Sequence, residues 1–118
     1  MPAVFLDYAT VSFNVELYPR SLHDALPGLE FREHTAQQDV AAHVAGREVV
    51  LVNKLRITRE IIEATPALRL VALAATGTNN VDLVAAGERG VAVCNLRDYC
   101  TASVVQHVFG VLLLLTQR

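Results

Sequence analysis

The segment Leu68-Arg69-Leu70-Val71-Ala72-Leu73-Ala74-Ala75 runs into Thr76-Gly77-Thr78-Asn79-Asn80, then Val81 to Arg89, Gly90 and Val91-Ala92-Val93-Cys94-Asn95. The two apolar runs have strand length and are bounded by turn residues, so they read as strands. The polar pentapeptide is a loop. Val81 to Arg89 reads as a short helix, stopped by Gly90. Strand, loop, helix and strand in so few residues make a crossover unit, which pairs its two strands in parallel.

The same alternation extends outward. Upstream, Thr58 can cap a helix through Ile61, Ile62 and Ala64 that Pro66 breaks. Glu48 to Asn53 contains Val-Val-Leu-Val, a strand apolar on both faces. Thr35-Ala36-Gln37-Gln38 has capping-box spacing, with Val40, Ala41 and Val44 following on one helical face before Gly46. Leu29-Glu30-Phe31-Arg32-Glu33 alternates as a strand does. Leu17 to Leu26 reads as a helix, with Pro19 in its first turn and Pro27-Gly28 as its stop. Val4 to Tyr8 reads as the first strand, and Thr101 to Gln117 as the last helix. The order βαβαβαβαβα predicts an α/β domain: five parallel strands in a doubly wound, flavodoxin-like or Rossmann-like sheet covered by helices on both faces.

Composition narrows the function. The 118 residues are 53% apolar and 19% charged, which suits one domain with a real core and excludes two full domains or a disordered chain. Net charge is −2 and no Lys/Arg run exists, which argues against nucleic acid or an anionic membrane as partner. Cys94 and Cys100 make neither a disulfide framework nor a metal-ligand pattern, so no metal site and a reducing cytoplasm are expected. Met1-Pro2-Ala3 carries no basic segment of a signal peptide, and the longest apolar stretch, Val108 to Leu115, is far below the roughly 18 residues of a membrane span. No two glycines are spaced as G-x-G, and no Walker A, G-x-S-x-G, H-E-x-x-H or C-x-x-C motif occurs.

The last helix is apolar nearly all round. Val104, Val108, Val111 and Leu115 lie on one face, Val105, Phe109 and Leu112 on another, and Leu113 and Leu114 fill much of the rest. A sheet can cover only one stripe of such a helix, so a second surface is expected to cover the remainder. The two readings are a helix buried in a homodimer and a linker into a further domain.

Ligands of doubly wound sheets bind beyond the carboxyl ends of the strands, where Ala75 to Asn80 lies. The amides of Thr76, Gly77 and Thr78 could form a nest for a small carboxylate, with Gly77 allowing close approach or a positive φ. The alternative is a β–α turn that uses Gly and Asn for their geometry alone. Asn53 and Lys54 end the third strand on the same rim, and Tyr99 could line a cleft or simply pack there. His107 reads as a packing residue of the last helix, and the two cysteines as packing rather than reactive groups.

Val52-Asn53-Lys54, the A-T-G-x-N-x-V-D loop at Ala75 to Asp82, and the run Arg97-Asp98-Tyr99-Cys100-Thr101-Ala102-Ser103-Val104 continuing to Phe109 resemble the D-isomer-specific 2-hydroxyacid dehydrogenases, closest to the bacterial glycerate dehydrogenase (hydroxypyruvate reductase) branch. The resemblance implies a flavodoxin-like substrate-binding domain over residues 1–100 and an apolar linker helix over 101–118, leading to an NAD(P)-binding Rossmann domain absent from this chain. Family enzymes take their catalytic Arg, His and Glu from that domain or just beyond it, so no catalytic residue is expected here. A C-terminal helix completes the family's substrate domain. Carried over by position, the Thr76 and Gly77 amides hold the substrate carboxylate, Asn53, Lys54 and Tyr99 border the substrate, and Thr76 and Thr101 approach the cofactor. Leu96-Arg97 stands where many members have Val-Pro, and Gln106 where many have Glu; both favour the glycerate dehydrogenase branch.

The resulting expectation is a fragment of a cytoplasmic NAD- or NADP-dependent oxidoreductase. It would interconvert 2-keto acids such as hydroxypyruvate or glyoxylate and D-2-hydroxy acids such as glycerate. This chain alone should be inactive, bind no cofactor and form a homodimer through the 101–118 helix. The rival is a stand-alone, non-catalytic flavodoxin-like module that binds a small anion or a protein partner.

Overall fold

Strand side chains alternate between the two faces of a sheet, and here both sets are apolar. In the computed structural model, which describes residues 1–12 and 20–117, the strands are β1 (Ala3–Phe5), β2 (Glu30–Phe31), β3 (Val49–Val52), β4 (Leu70–Leu73) and β5 (Ala92–Cys94). All pair in parallel in the order β2-β1-β3-β4-β5, the flavodoxin-like arrangement. One row of the register runs Glu30, Val4, Val50, Val71, Val93 across the whole sheet.

The even-numbered face of β1 and β3 carries Val4, Leu6, Val50 and Val52, continued by Val71 and Leu73 of β4. Over it lie α3 (Val40–Val44), α4 (Arg59–Ala64) and α5 (Leu83–Glu88), contributing Val40, Val44, Ile61, Ile62, Ala85 and Ala86. The opposite face carries Ala3, Phe5, Val49 and Leu51 under α1 (Ala9–Ser12) and α2 (Arg20–Ala25), with Tyr8, Val11, Leu22 and Leu26 packed against them. The sheet is therefore doubly wound, as expected.

Several local expectations change. The first crossover holds the unforeseen α1, and Leu17 to Pro19 of the expected helix fall outside the described residues. The Thr35 capping box does not form: a 3₁₀ turn at Gln37–Asp39 precedes α3, its N-cap is Ala36, and the buried Thr35 Oγ1 has no hydrogen-bond partner. Gln37 instead clasps Arg56, accepting from its amide at 2.8 Å and donating to its carbonyl at 3.0 Å. Thr58 does stand at the N-cap of α4, but its side chain makes no capping bond. Asp82 caps α5, its carboxylate accepting from the Ala85 amide at 2.8 Å. Gly90 stops α5 with φ 67°, the left-handed conformation that only glycine adopts without cost.

The helix α6 (Thr101–Thr116) forms, but no part of it is buried. The sequence pattern predicts that the sheet covers one stripe of it; the sheet covers none. Asp98, at φ 55°, turns the chain between β5 and α6, and the molecule extends 59 Å along its longest axis against 32 and 25 Å across. Ala92 and Cys94 on β5 are exposed, as is His107 on α6, so neither Cys94 nor His107 is the packing residue expected.

At the opposite edge, β2 is protected by charge, the usual device of an edge strand. Glu30 pairs with Arg32 at 2.8 Å and with Arg47, and Arg32 Nη2 lies 3.0 Å from His43 Nε2. The Arg32 hydrogen bond and the Arg47 guanidinium hold the Glu30 carboxyl below its ordinary value of 4.5. A carboxyl depressed by folding contributes stability that is present above 4.5 and lost as pH falls through the folded value. Urea midpoints measured across acid pH should therefore fall less steeply in Glu30→Gln than in the wild type, while the two curves run parallel at neutral pH.

Candidate functional site

The carboxyl end of β1 places Asp7 inside the molecule, 4% exposed. A buried carboxylate needs hydrogen-bond donors. Asp7 finds them in the loop after β3: Oδ1 accepts from the Asn53 amide at 2.9 Å, and Oδ2 from the amides of Lys54 at 2.6 Å and Leu55 at 3.3 Å. From the other side, Asn80 Nδ2 donates to the carbonyls of Leu55 at 2.9 Å and Asn53 at 3.3 Å. Ile57 and Val81 form a parallel bridge, with the Ile57 amide donating to Asn80 O at 2.8 Å. The Asn53–Leu55 turn is thus clamped between the ends of β1 and β4.

The loop after β4 is tied to the one after β5. Leu96 N donates to Ala75 O at 3.0 Å, and Asn95 Nδ2 donates to Thr76 O at 2.7 Å. Among the described residues, no hydrogen bond engages the amides of Thr76, Gly77 or Thr78. Gly77 is not in the left-handed region, so the positive φ offered for it is not adopted. A Cβ at Gly77 would come within 3.1 Å of Asn79 Oδ1.

These loops enclose a cleft of about 1020 Å³ at the carboxyl ends of β1, β3 and β4. Its walls include Phe5, Tyr8, Val11, Leu22, Ala74 and Leu96; its polar groups include Thr10, Arg20, Asn53, Lys54 and Tyr99. Phe5, Tyr8 and Phe31 stack edge-on or tilted beneath it, with ring centroids 4.9–6.3 Å apart. The structure therefore brings Asn53, Lys54 and Tyr99 together. Thr76 and Gly77 lie on the exposed rim, directly after the lining residues Ala74 and Ala75. Thr101 stands apart, exposed in the first turn of α6. Among the described residues no group of three or more His, Cys, Asp or Glu could hold a metal ion.

Sequence reasoning missed Asp7, Thr10 and Asn80. The available signal was a lone carboxylate closing an apolar strand, but its partners lie 46–48 residues away.

Residues 12–111 match the family model for the D-isomer specific 2-hydroxyacid dehydrogenase catalytic domain. The chain belongs to this family. A Haemophilus influenzae protein named only as a 2-hydroxyacid dehydrogenase is 37% identical over 116 residues, covering 95% of this chain and 35% of its own length. The glycerate dehydrogenase of Methylorubrum extorquens is 33% identical over 83 residues, covering 70% of this chain and 26% of its own. The NAD-dependent formate dehydrogenase of Staphylococcus aureus, solved in complex with NAD, superposes with TM-score 0.75 at 28% identity, covering 97% of this chain and 38% of that one. The chain thus spans between about a quarter and two fifths of the length of these relatives.

Replacing Asp7 by Ala removes the acceptor for three amides and should lower folding stability by about 3 kcal/mol in urea titration, since hydrogen bonds to a charged group are worth roughly 1.5–3 kcal/mol each and do not add fully. Asp7→Asn, which keeps one acceptor, should fall between the two.

Proposed function

We propose that this chain is the substrate-binding part of an NAD(P)-dependent oxidoreductase that interconverts 2-keto acids, such as hydroxypyruvate or glyoxylate, and D-2-hydroxy acids, such as glycerate. One observation carries the reading: three successive amides, at Thr76, Gly77 and Thr78, have no partner among the described residues and follow directly on Ala75, which lines a cleft that also holds Lys54. Amides presented in series bind an anion, and a neighbouring ammonium draws it in. The carboxylate of the substrate would sit on the Thr76 and Gly77 amides, between Asn53, Lys54 and Tyr99. The name of the Methylorubrum relative supports glycerate as the hydroxy acid.

The first βα turn of this chain does not suit a dinucleotide. A pyrophosphate needs a glycine-rich first turn and free amides at a helix N-terminus. Here that turn is Leu6-Asp7-Tyr8, and it presents a buried carboxylate that would repel phosphate. We therefore assign residues 1–100 as the substrate domain and 101–118 as a linker helix to a separate cofactor domain. Thr76 and Thr101 are the residues of this chain that would face the cofactor. This chain's part in that reading is binding and orientation, and the proton-transferring groups would come from that other domain.

The linker reading also accounts for α6. Val104, Val105, Val108, Phe109 and the run Leu112 to Leu115 are each 48% exposed or more. Burying one such side chain is worth about 1.5–3 kcal/mol. The helix is proposed to bury them in a homodimer, which a stand-alone module with α6 in water would forgo. No described helix is long and apolar enough to cross a membrane; a cytoplasmic location is proposed from the free thiols of Cys94 and Cys100.

Two measurements test the reading. In the complete enzyme, Gly77→Val adds a branched side chain between the Thr76 and Thr78 amides, with its Cβ 3.1 Å from Asn79 Oδ1, and should raise KM for the keto acid by at least tenfold; unchanged kinetics would remove the carboxylate site. Light scattering of the 118-residue chain should report twice the monomer mass, and a Phe109→Glu variant should return it to monomer; a wild-type monomer at high concentration would end the dimer assignment.

A further inference from the structure

Asn53, a lining residue of the cleft, has a side-chain amide held in one orientation. Asn53 is 8% exposed. Its amide donates to Asp7 and its carbonyl accepts from Asn80, so its backbone is held on both sides. Its side-chain amide meets Thr10 Oγ1 at 2.8 Å. The Thr10 hydroxyl has a single proton, and donates it to Asp7 O at 2.7 Å. Only a lone pair of Oγ1 remains for Asn53, so the group facing Thr10 must be the NH2, and the Oδ1 carbonyl must face the other way. Among the described residues no donor reaches Oδ1, and that oxygen is not sealed from solvent. Asn53 lines the cleft, and its Oδ1, turned away from Thr10, is an acceptor without a protein partner among the described residues.

We infer that Asn53 is a specificity-determining residue whose Oδ1 accepts a hydrogen bond from the 3-hydroxyl of the substrate, selecting 3-hydroxy-2-keto acids over their unhydroxylated analogues. The inference rests on the proposed oxidoreductase reading and deepens it. An acceptor-only carbonyl repels a carboxylate and gains nothing from a methyl group. It therefore leaves the carboxylate to the Thr76 and Gly77 amides and Lys54. A hydroxymethyl group completes the bond that a methyl group would leave unmade in a largely buried site, and sites built this way discriminate by the cost of the unpaired group. Thr10 is a positioning residue: it fixes which end of the Asn53 amide the substrate meets.

The test compares kcat/KM for hydroxypyruvate and pyruvate in the complete enzyme and two variants. The wild type should prefer hydroxypyruvate by at least tenfold. Asn53→Leu should lose about tenfold more activity on hydroxypyruvate than on pyruvate, the worth of one hydrogen bond in a partly dry site. Thr10→Val, which frees the amide to rotate, should narrow the preference in the same direction by a smaller factor. Should Asn53→Leu fail to fold, Thr10→Val carries the test, because both backbone clamps on Asn53 remain. Equal losses on the two substrates in Asn53→Leu, or an unaltered preference in Thr10→Val, would show that the pair is only structural and overturn the inference. A wild type that reduces both keto acids equally would overturn it while leaving the oxidoreductase reading intact. A complete protein that reduces neither would overturn both.

Discussion

The carboxylate of Asp7 organises the functional end of this molecule. It is buried at the tip of β1 and its cost is met by three amides of the loop after β3. Desolvating a charge is tolerable only when donors replace water, so β1 and that loop must stay in one relative position. The position of Asn53 and Lys54 follows from this contact. So does the orientation of the Asn53 side chain, because Thr10, one helical turn beyond Asp7, borrows the Asp7 carbonyl to set its own hydroxyl. Asn80 then closes the loop from the β4 side. The cleft is defined by a polar network anchored at one residue and set on an apolar sheet.

That division of labour suits a binding site. The two apolar clusters hold the sheet rigid, and the polar contacts at its carboxyl edge set the loops to within hydrogen-bond tolerance. The loop bearing Thr76 and Gly77 is treated differently. Its carbonyls are engaged through Asn95 and Leu96, while its amides have no partners among the described residues.

The outer β4–β5 side of the sheet and α6 share one property. Leu70, Ala72 and Ala74 are only partly buried, Ala92 and Cys94 are exposed, and α6 has no buried residue. The domain is well packed over β1 and β3 and open toward β5. Membership in a family whose relatives are about three times as long, or longer, gives this openness a simple physical sense: surface left apolar is surface that another part of a larger assembly can cover.

Much of this is legible in the order of residues. Continuous apolar runs at Val49–Val52 and Leu70–Leu73, separated by helix-length segments with Gly and Pro stops, determine a parallel doubly wound sheet, because strand and helix periods are local properties of the chain. The Thr76–Asn80 loop and its place at the sheet's carboxyl edge follow from the same arithmetic, and the apolar character of α6 is plain in its composition. What the sequence could not determine depends on contacts between distant residues. Thr35 has the spacing of a cap and is not one, since Gln37 turns instead to Arg56, 19 residues on. Gly77 is compatible with a left-handed turn and does not adopt one. Whether α6 lies on the sheet or leads away from it is not written in its own residues, and the structure leaves all of it exposed, after a left-handed turn at Asp98. Asp7 shows no sign of its role, because a carboxylate's partners are chosen by the fold and lie 46–48 residues along the chain, whereas periodicity reaches only a few residues in either direction.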